Sequence, residues 1–187
     1  MSFPGIPSLD AAVMAFIQTH FHNTVTDTVF PIITSLGEAG IGWIVLSLVL
    51  LCFKKTRRTG GLVLIAMTVT LLFGELTLKN IICRLRPCNV FTDFPMLIAR
   101  PTSYSFPSGH TSSSFAAALI LTLRHKKVGW LAYIPAVLIA FSRIFLFVHY
   151  PTDVLAGILL GTLAALLTYF AAKAIQKQQA EKRMAQI

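Results

Sequence analysis

The fold class this sequence predicts is an all-α integral membrane bundle, with about five to six transmembrane helices and an N-terminal amphipathic helix at the interface. Three observations predict it. Of 187 residues, 55% are hydrophobic and 12% charged, and mean hydropathy is +0.73, whereas soluble domains are about 45–50% apolar and about 25% charged. The apolar residues gather into successive runs approaching the roughly 20 residues that cross hydrocarbon. The formal net charge of +9 sits mostly in short basic clusters between those runs, where topology signals lie. Charge so placed does not describe a nucleic-acid surface, and no nucleic-acid partner is expected. The length suits a single domain, residues 1–187. Within it, 1–36 supplies interfacial and first helices, 38–175 the transmembrane core, and 176–187 a polar cytoplasmic tail.

Each element follows in order. Leu9, Val13, Phe16, Ile17 and Phe21 recur at helical spacing, with Ser8 placed to cap them; this segment is expected to lie on the membrane surface. Val25 to Leu36 contains Pro31 and is expected either to lie flat or to lead into the next span. Five spans follow: Glu38 to Phe53, Gly60 to Ile82, Ser108 to Leu123, Val128 to Val148, and Pro151 or Thr152 to Ala172. The first and third are short and need extension by their flanks. The tail "KAIQKQQAEKRMAQI" reads as a frayed helix end. The first ten residues hold no Lys or Arg, unlike a secretory signal peptide; insertion is expected to rely on the internal helices.

Three cysteines do not make a disulfide framework. Cys52 falls in an apolar run. Cys83 and Cys88 flank "RLRP", which leaves a bridge or two free thiols, the second being the plainer reading.

The charges orient the spans. "KKTRR" (Lys54 to Arg58), "RHKK" (Arg124 to Lys127) and Lys173, Lys177, Lys182 and Arg183 fall on one side if five spans alternate, and the positive-inside rule makes that side cytoplasmic. "RLRP", "PSGH" and "VHYPTD" then meet at the extracytoplasmic face. There "FPSGHTSSSF" heads an apolar run. Pro107 and Gly109 bend the chain, Ser108 suits an N-cap, and the N–H groups of a new helix make an anion seat beside His110. Lys79, Arg86 and Arg143 come to the same face from two different spans. Cations inside a bundle have a purpose, and arginine suits phosphate oxygens. Too few carboxylates accompany them for a magnesium or two-metal site, so no metal is expected. Acid–base and nucleophilic work then falls to His110 and His149.

Three stretches carry a family resemblance. "KNIICRLRP" (Lys79 to Pro87) fits K-x6-R-P, "PSGH" spans Pro107 to His110, and "SRIFLFVHYPTD" (Ser142 to Asp153) fits S-R-x5-H-x3-D. In type, order and spacing these resemble the signature motifs of the type 2 phosphatidic acid phosphatase superfamily, which also includes the vanadium haloperoxidases; motifs and spans cover roughly 60–172. The resemblance implies a metal-free lipid phosphatase with no cofactor. His149 is then the nucleophile that forms a phosphohistidine, and Asp153 hydrogen-bonds and orients its ring. His110 is the general acid and later the base. Lys79, Arg86, Arg143, Ser108 and the Gly109 N–H cradle the phosphoryl group.

Other residues are weighed beside these. Glu75 precedes Lys79 by one helical turn, and is expected either to orient it from behind the site or to stand as a glutamate with no catalytic role. Phe91, Phe94, Met96, Leu97 and Ile98, in the segment between Pro87 and Pro107, border the site entrance or form a plain interfacial loop. His20, His22 and His125 match no motif and are expected at the surface. The substrate is expected to be a lipid phosphate or diphosphate that enters from the membrane, most simply undecaprenyl diphosphate. Phosphatidylglycerophosphate and phosphatidate are rivals, and a phosphotransferase would share the first half-reaction. A non-catalytic lipid-phosphate carrier is the reading from a different class. Oligomeric state is not legible here.

Overall fold

The structure is a computed structural model, and it describes residues 3–184. The helices are α1 (Ser8–His20), α2 (Thr24–Leu36), α3 (Ile41–Cys52), α4 (Arg57–Thr70), α5 (Lys79–Ile82), α6 (Pro87–Val90), α7 (Gly109–Arg124), α8 (Tyr133–Phe145) and α9 (Pro151–Met184). No strand occurs among the described residues. A π-helical stretch, Leu71–Leu78, joins α4 to α5, and a 3-10 turn, Gly129–Ala132, precedes α8.

The bundle is built around α7, which packs on α4, α8 and α9. Its inward residues are small: Ala116, Ala117 and Ala118 are fully buried. The crossing with α9 is tight because α9 offers glycines. A Cβ on Gly157 would stand 2.7 Å from the Ser108 carbonyl oxygen, and one on Gly161 would stand 2.3 Å from that of Ser112. Gly157 and Gly161 form a G-x-x-x-G pair, the sequence device for close helix approach in membranes.

The opposite face of α9 carries Leu155, Leu159, Leu163, Leu167 and Phe170, all exposed. So large an apolar surface suits lipid rather than water. Among the described residues two helices are long and apolar enough to cross a membrane, Arg57–Val90 and Pro151–Met184, or up to three if α2 and Glu38–Cys52, bent by 45°, form one span. That is fewer than the expected five to six. One missing span is α7, which has 16 residues and is wrapped by protein rather than lipid, so it needs less apolarity than a lipid-facing helix; another is the shorter apolar helix Gly129–Phe145.

The chain reverses tightly at "KKTRR" and "RHKK", and these loops lie at the ends of α3, α4, α7 and α8 away from the site. The site is assembled from the other ends: Lys79 at the start of α5 and Arg86 just beyond it, the start of α7, and the close of α8 with the turn that follows it.

The N-terminal helix departs from its expected stripe. Its buried residues are Asp10, Met14, Ile17 and Gln18, whereas Leu9 and Phe16 are exposed. Polar contacts decide this face: Gln18 Nε2 donates to the carbonyl oxygens of Ile144 and Phe145 at 3.3 and 3.0 Å. Ser8 does not cap the helix through its side chain; Pro7 holds the N-cap position. At the other terminus α9 continues unbroken to Met184 rather than fraying after Ala172; residues 185–187 of the expected tail lie outside the described residues. The cysteines are free thiols, with Cys52 and Cys83 exposed and Cys88 buried.

Candidate active site

The S-R-x5-H spacing is a folding instruction for one turn. The Val148 N–H bonds back to the Arg143 carbonyl at 3.2 Å and the Phe147 N–H to that of Ile144 at 3.0 Å. This is the Schellman pattern that ends a helix with one left-handed residue. Glycine usually takes that position, but here it is Phe147, at φ 60. Its ring compensates by stacking on Phe94 at 3.9 Å and meeting Phe3 at 5.3 Å. The reversal brings the His149 N–H to the Arg143 carbonyl at 3.1 Å, so arginine and histidine share one wall.

Arg86 closes that wall. Its guanidinium donates to the Ser103 carbonyl (2.7 Å), Ser103 Oγ (3.0 Å) and the Val148 carbonyl (2.9 Å). Its Nη1 also stands 2.9 Å from His149 Nε2. A guanidinium only donates, so Nε2 is the acceptor and the ring proton sits on Nδ1. Arg143 Nη1 donates to Thr34 Oγ1 of α2, while its Nε is buried without a partner.

Lys79 arrives through the π-helical stretch, a form that recurs at functional sites. Its Nζ bonds both Glu75 carboxylate oxygens at 2.7 Å, so the two side chains form one ion pair. The same carboxylate lies on Gly109, where a Cβ would stand 2.2 Å from Glu75 Oε1. Glycine is therefore what lets α7 start against this ion pair.

Lys79, Arg86, Gly109, His110, Arg143 and His149, together with Glu75, line one cavity of about 890 Å³. Its other walls are partly apolar, with Pro31, Ile44, Leu64, Met67 and Leu71. Within the cavity, His110 Nε2 has no hydrogen-bond partner and lies 3.6 Å from Glu38 Oε2.

Two of the expected site residues stand elsewhere. Ser108 is fully buried and is not part of the cavity lining. It holds the N-cap position without a side-chain cap, because its hydroxyl pairs with Thr111 Oγ1 at 2.9 Å. Asp153 lies behind His149, with Oδ2 3.5 Å from His149 Nδ1, and Nδ1 is left without a hydrogen-bond partner. The expected Asp153–His149 hydrogen bond is thus not made. Asp153 is taken by other donors: Arg84 Nη1 at 2.6 Å, the Tyr150 N–H at 2.9 Å, and Ser105 Oγ.

Arg84 was not among the expected residues, and neither was its second anion. Its Nη2 donates to Asp10 Oδ2 at 2.7 Å, and its guanidinium lies 3.7 Å over the Tyr150 ring. Asp10 also accepts from the Thr152 N–H at 2.9 Å and Thr152 Oγ1 at 2.7 Å. One arginine therefore ties the N-terminal helix to the start of α9. The basic residue inside "RLRP" was a visible signal; its partner 74 positions away was not.

The segment between Pro87 and Pro107 packs on the bundle. Phe91, Phe94, Met96 and Ile98 join the aromatic core, Leu97 is exposed, and Ile98 to Ser103 line the cavity. Of the remaining histidines, His20 is at the surface. His22 is half-buried, stacked on Phe145 at 4.0 Å and bonded to Asp27 at 2.7 Å. His125 bonds Thr59 Oγ1 at 3.0 Å and is also half-buried.

The PAP2 superfamily model matches residues 59–177, which contain the cations, both cavity histidines and Asp153. The chain belongs to the PAP2 superfamily. Among its relatives, the undecaprenyl-diphosphatase of Sulfolobus acidocaldarius is 39% identical over 127 residues, 67% of this chain and 61% of that protein. The match thus spans less than two thirds of that relative's length. Undecaprenyl-diphosphatase BcrC of Bacillus subtilis is 31% identical over 157 residues, 79% of this chain and 76% of its own. The crystal structure of the PAP2-type phosphatidylglycerolphosphate phosphatase from Bacillus subtilis superposes with a TM-score of 0.73 at 29% identity, covering 92% of this chain and 89% of that one. PAP2 membership, the helical fold and the apolar outer surface make this a membrane protein.

Proposed function

We propose that this protein hydrolyses a lipid (di)phosphate by a metal-independent route through a phosphohistidine on His149. The observation that carries the reading is the 2.9 Å contact between Arg86 Nη1 and His149 Nε2. It leaves an unprotonated ring nitrogen among the cations of the cavity, aimed where a phosphoryl group would be held.

The steps follow from the residues. The phosphoryl oxygens take the hydrogen bonds of Lys79, Arg86, Arg143 and the Gly109 N–H, and Arg86 releases Nε2. Nε2 attacks phosphorus, a P–N bond forms, and the P–O bond to the leaving group breaks as His110 gives that oxygen a proton. His110 then takes a proton from water, the water oxygen attacks phosphorus, and the P–N bond breaks to release inorganic phosphate. Three cations offset the charge that develops. Asp153, held by Arg84 and Ser105, faces the Nδ1 proton and favours the cation His149 becomes.

Undecaprenyl diphosphate is the proposed substrate. Two relatives bear names for that activity, and the partly apolar cavity walls suit a headgroup that arrives with a hydrocarbon tail. Phosphatidylglycerophosphate is the second reading, favoured by the structural likeness to a phosphatase named for it. The same proposal places the site at the extracytoplasmic face and the C-terminus in the cytoplasm, because the basic loops lie at the opposite end of the bundle.

Phosphate release in detergent tests this, with a chelator present and undecaprenyl diphosphate, phosphatidylglycerophosphate and phosphatidate compared. Release that survives chelation, vanishes in His149→Ala and is fastest on undecaprenyl diphosphate is the expected result. Retention of activity by His149→Ala refutes the mechanism. Binding without turnover on every lipid favours a carrier.

A further inference from the structure

We propose that Glu38 is the positioning residue of His110, the carboxylate that lets this histidine carry the proton it delivers. The proposal rests on the reading of His110 as general acid given above.

The argument begins with charge. Lys79, Arg86 and Arg143 share the cavity with His110. An imidazolium among cations is disfavoured unless an anion stands beside it. Glu75 is not available, since both its oxygens hold Lys79 at 2.7 Å. Asp153 lies behind the other histidine and is taken by Arg84, Tyr150 and Ser105. Glu38 remains. Its Oε2 is 3.6 Å from His110 Nε2, an atom that is buried and has no hydrogen-bond partner.

The backbone supports the same assignment. Glu38 sits at the 45° bend between α2 and α3, followed by Ala39 at φ 47 and Gly40 at φ 71. The turn is pressed onto the imidazole: a Cβ on Gly37 would lie 2.8 Å from His110 Cδ2. A bend this close to the ring delivers the next side chain to it. The Glu38 side chain is 69% exposed and makes no other ion pair among the described residues, so a small rotation closes 3.6 Å to hydrogen-bond length.

The test uses leaving groups of different basicity. Cleavage of a short-chain phosphatidate expels an alkoxide, which needs a proton. Cleavage of farnesyl diphosphate expels a phosphate ester, which needs far less help. Because kcat/KM covers the steps through departure of the leaving group, Glu38→Gln should lower it about 100-fold on the phosphatidate, the low end for general acid catalysis, and by less than about threefold on the diphosphate. His110→Asn should show the same contrast, and adding Glu38→Gln to it should cost nothing more.

Equal losses on both probes, or none on either, overturn the proposal, since a structural role would not sense the leaving group. A wild-type enzyme inert on the phosphatidate also overturns it. Acid-labile label on His149 from farnesyl diphosphate labelled in its terminal phosphate separates the two levels. Label present without the substrate contrast refutes Glu38 alone, whereas no label in the wild type refutes the histidine mechanism and the Glu38 role together.

Discussion

Gly109→Ala should cut turnover while leaving the fold intact. The added methyl would stand 2.2 Å from Glu75 Oε1 and 3.0 Å from Glu75 Cδ. The carboxylate ends a flexible side chain, so it gives way before the backbone does. It also grips Lys79 Nζ through two 2.7 Å bonds, and Lys79 is only 5% exposed. Moving Glu75 strips a nearly buried ammonium of its partner. A hydrogen bond to a charged group contributes about 1.5–3 kcal/mol. If Lys79 leaves the phosphate cradle as a result, the rate falls about 10- to 150-fold at 1.36 kcal/mol per decade. Phosphate release in detergent measures the loss, and a thermal melt checks the fold. The decisive comparison is with Glu75→Ala, which removes the group the methyl strikes. The double variant should lose no more than Glu75→Ala alone. A double loss equal to the product of the single losses refutes the reasoning, because Gly109 would then act on the phosphate independently of Glu75. Full activity in Gly109→Ala refutes it as well.

Three further outcomes are expected. At Phe147, glycine should be more stable than alanine by about 1 kcal/mol, reversing the usual order. Both lose the ring, but only alanine keeps the strain of the left-handed turn; denaturant melts read the difference, and alanine the more stable of the two counts against the turn. Asp10→Ala should cost about 1–3 kcal/mol, since Thr152 loses its acceptor and Arg84 keeps only Asp153, and Asp10→Ala with Arg84→Ala should cost less than the sum of the two. Strict additivity in the melts would show that the pair is not coupled. Gly161→Ala should destabilise by about 1–3 kcal/mol, since its Cβ meets the Ser112 carbonyl oxygen at 2.3 Å; an unchanged melting temperature argues against the close α7–α9 crossing.

Much of the site was legible because its chemistry is local in sequence. Lys79 and Arg86 stand seven positions apart across one helix end, and Arg143 and His149 are joined by one Schellman turn. Glu75 and Lys79 are one turn apart, so helical geometry alone brings them together. A side chain's motif position does not say which way it points, however. Ser108 occupies a motif position, yet its hydroxyl pairs with Thr111 and it does not line the cavity. Asp153 stands at the expected spacing from His149, yet Arg84, Ser105 and a backbone N–H compete for its oxygens and win.

Residue type, order and apolar patterning by themselves determined a helical membrane protein, its family, and the cations and histidines of one polar end. Short-range geometry suffices for those features. Tertiary structure decided the rest. It chose the polar face of α1 for burial, through Asp10 and Gln18. It brought Thr34 to Arg143 across 109 positions and set Glu38 beside His110 across 72 positions (110 − 38). It also made α7 a protein-wrapped centre instead of one more lipid-facing span. These outcomes depend on which distant groups compete for the same partner once burial has excluded water, and no local pattern encodes that competition.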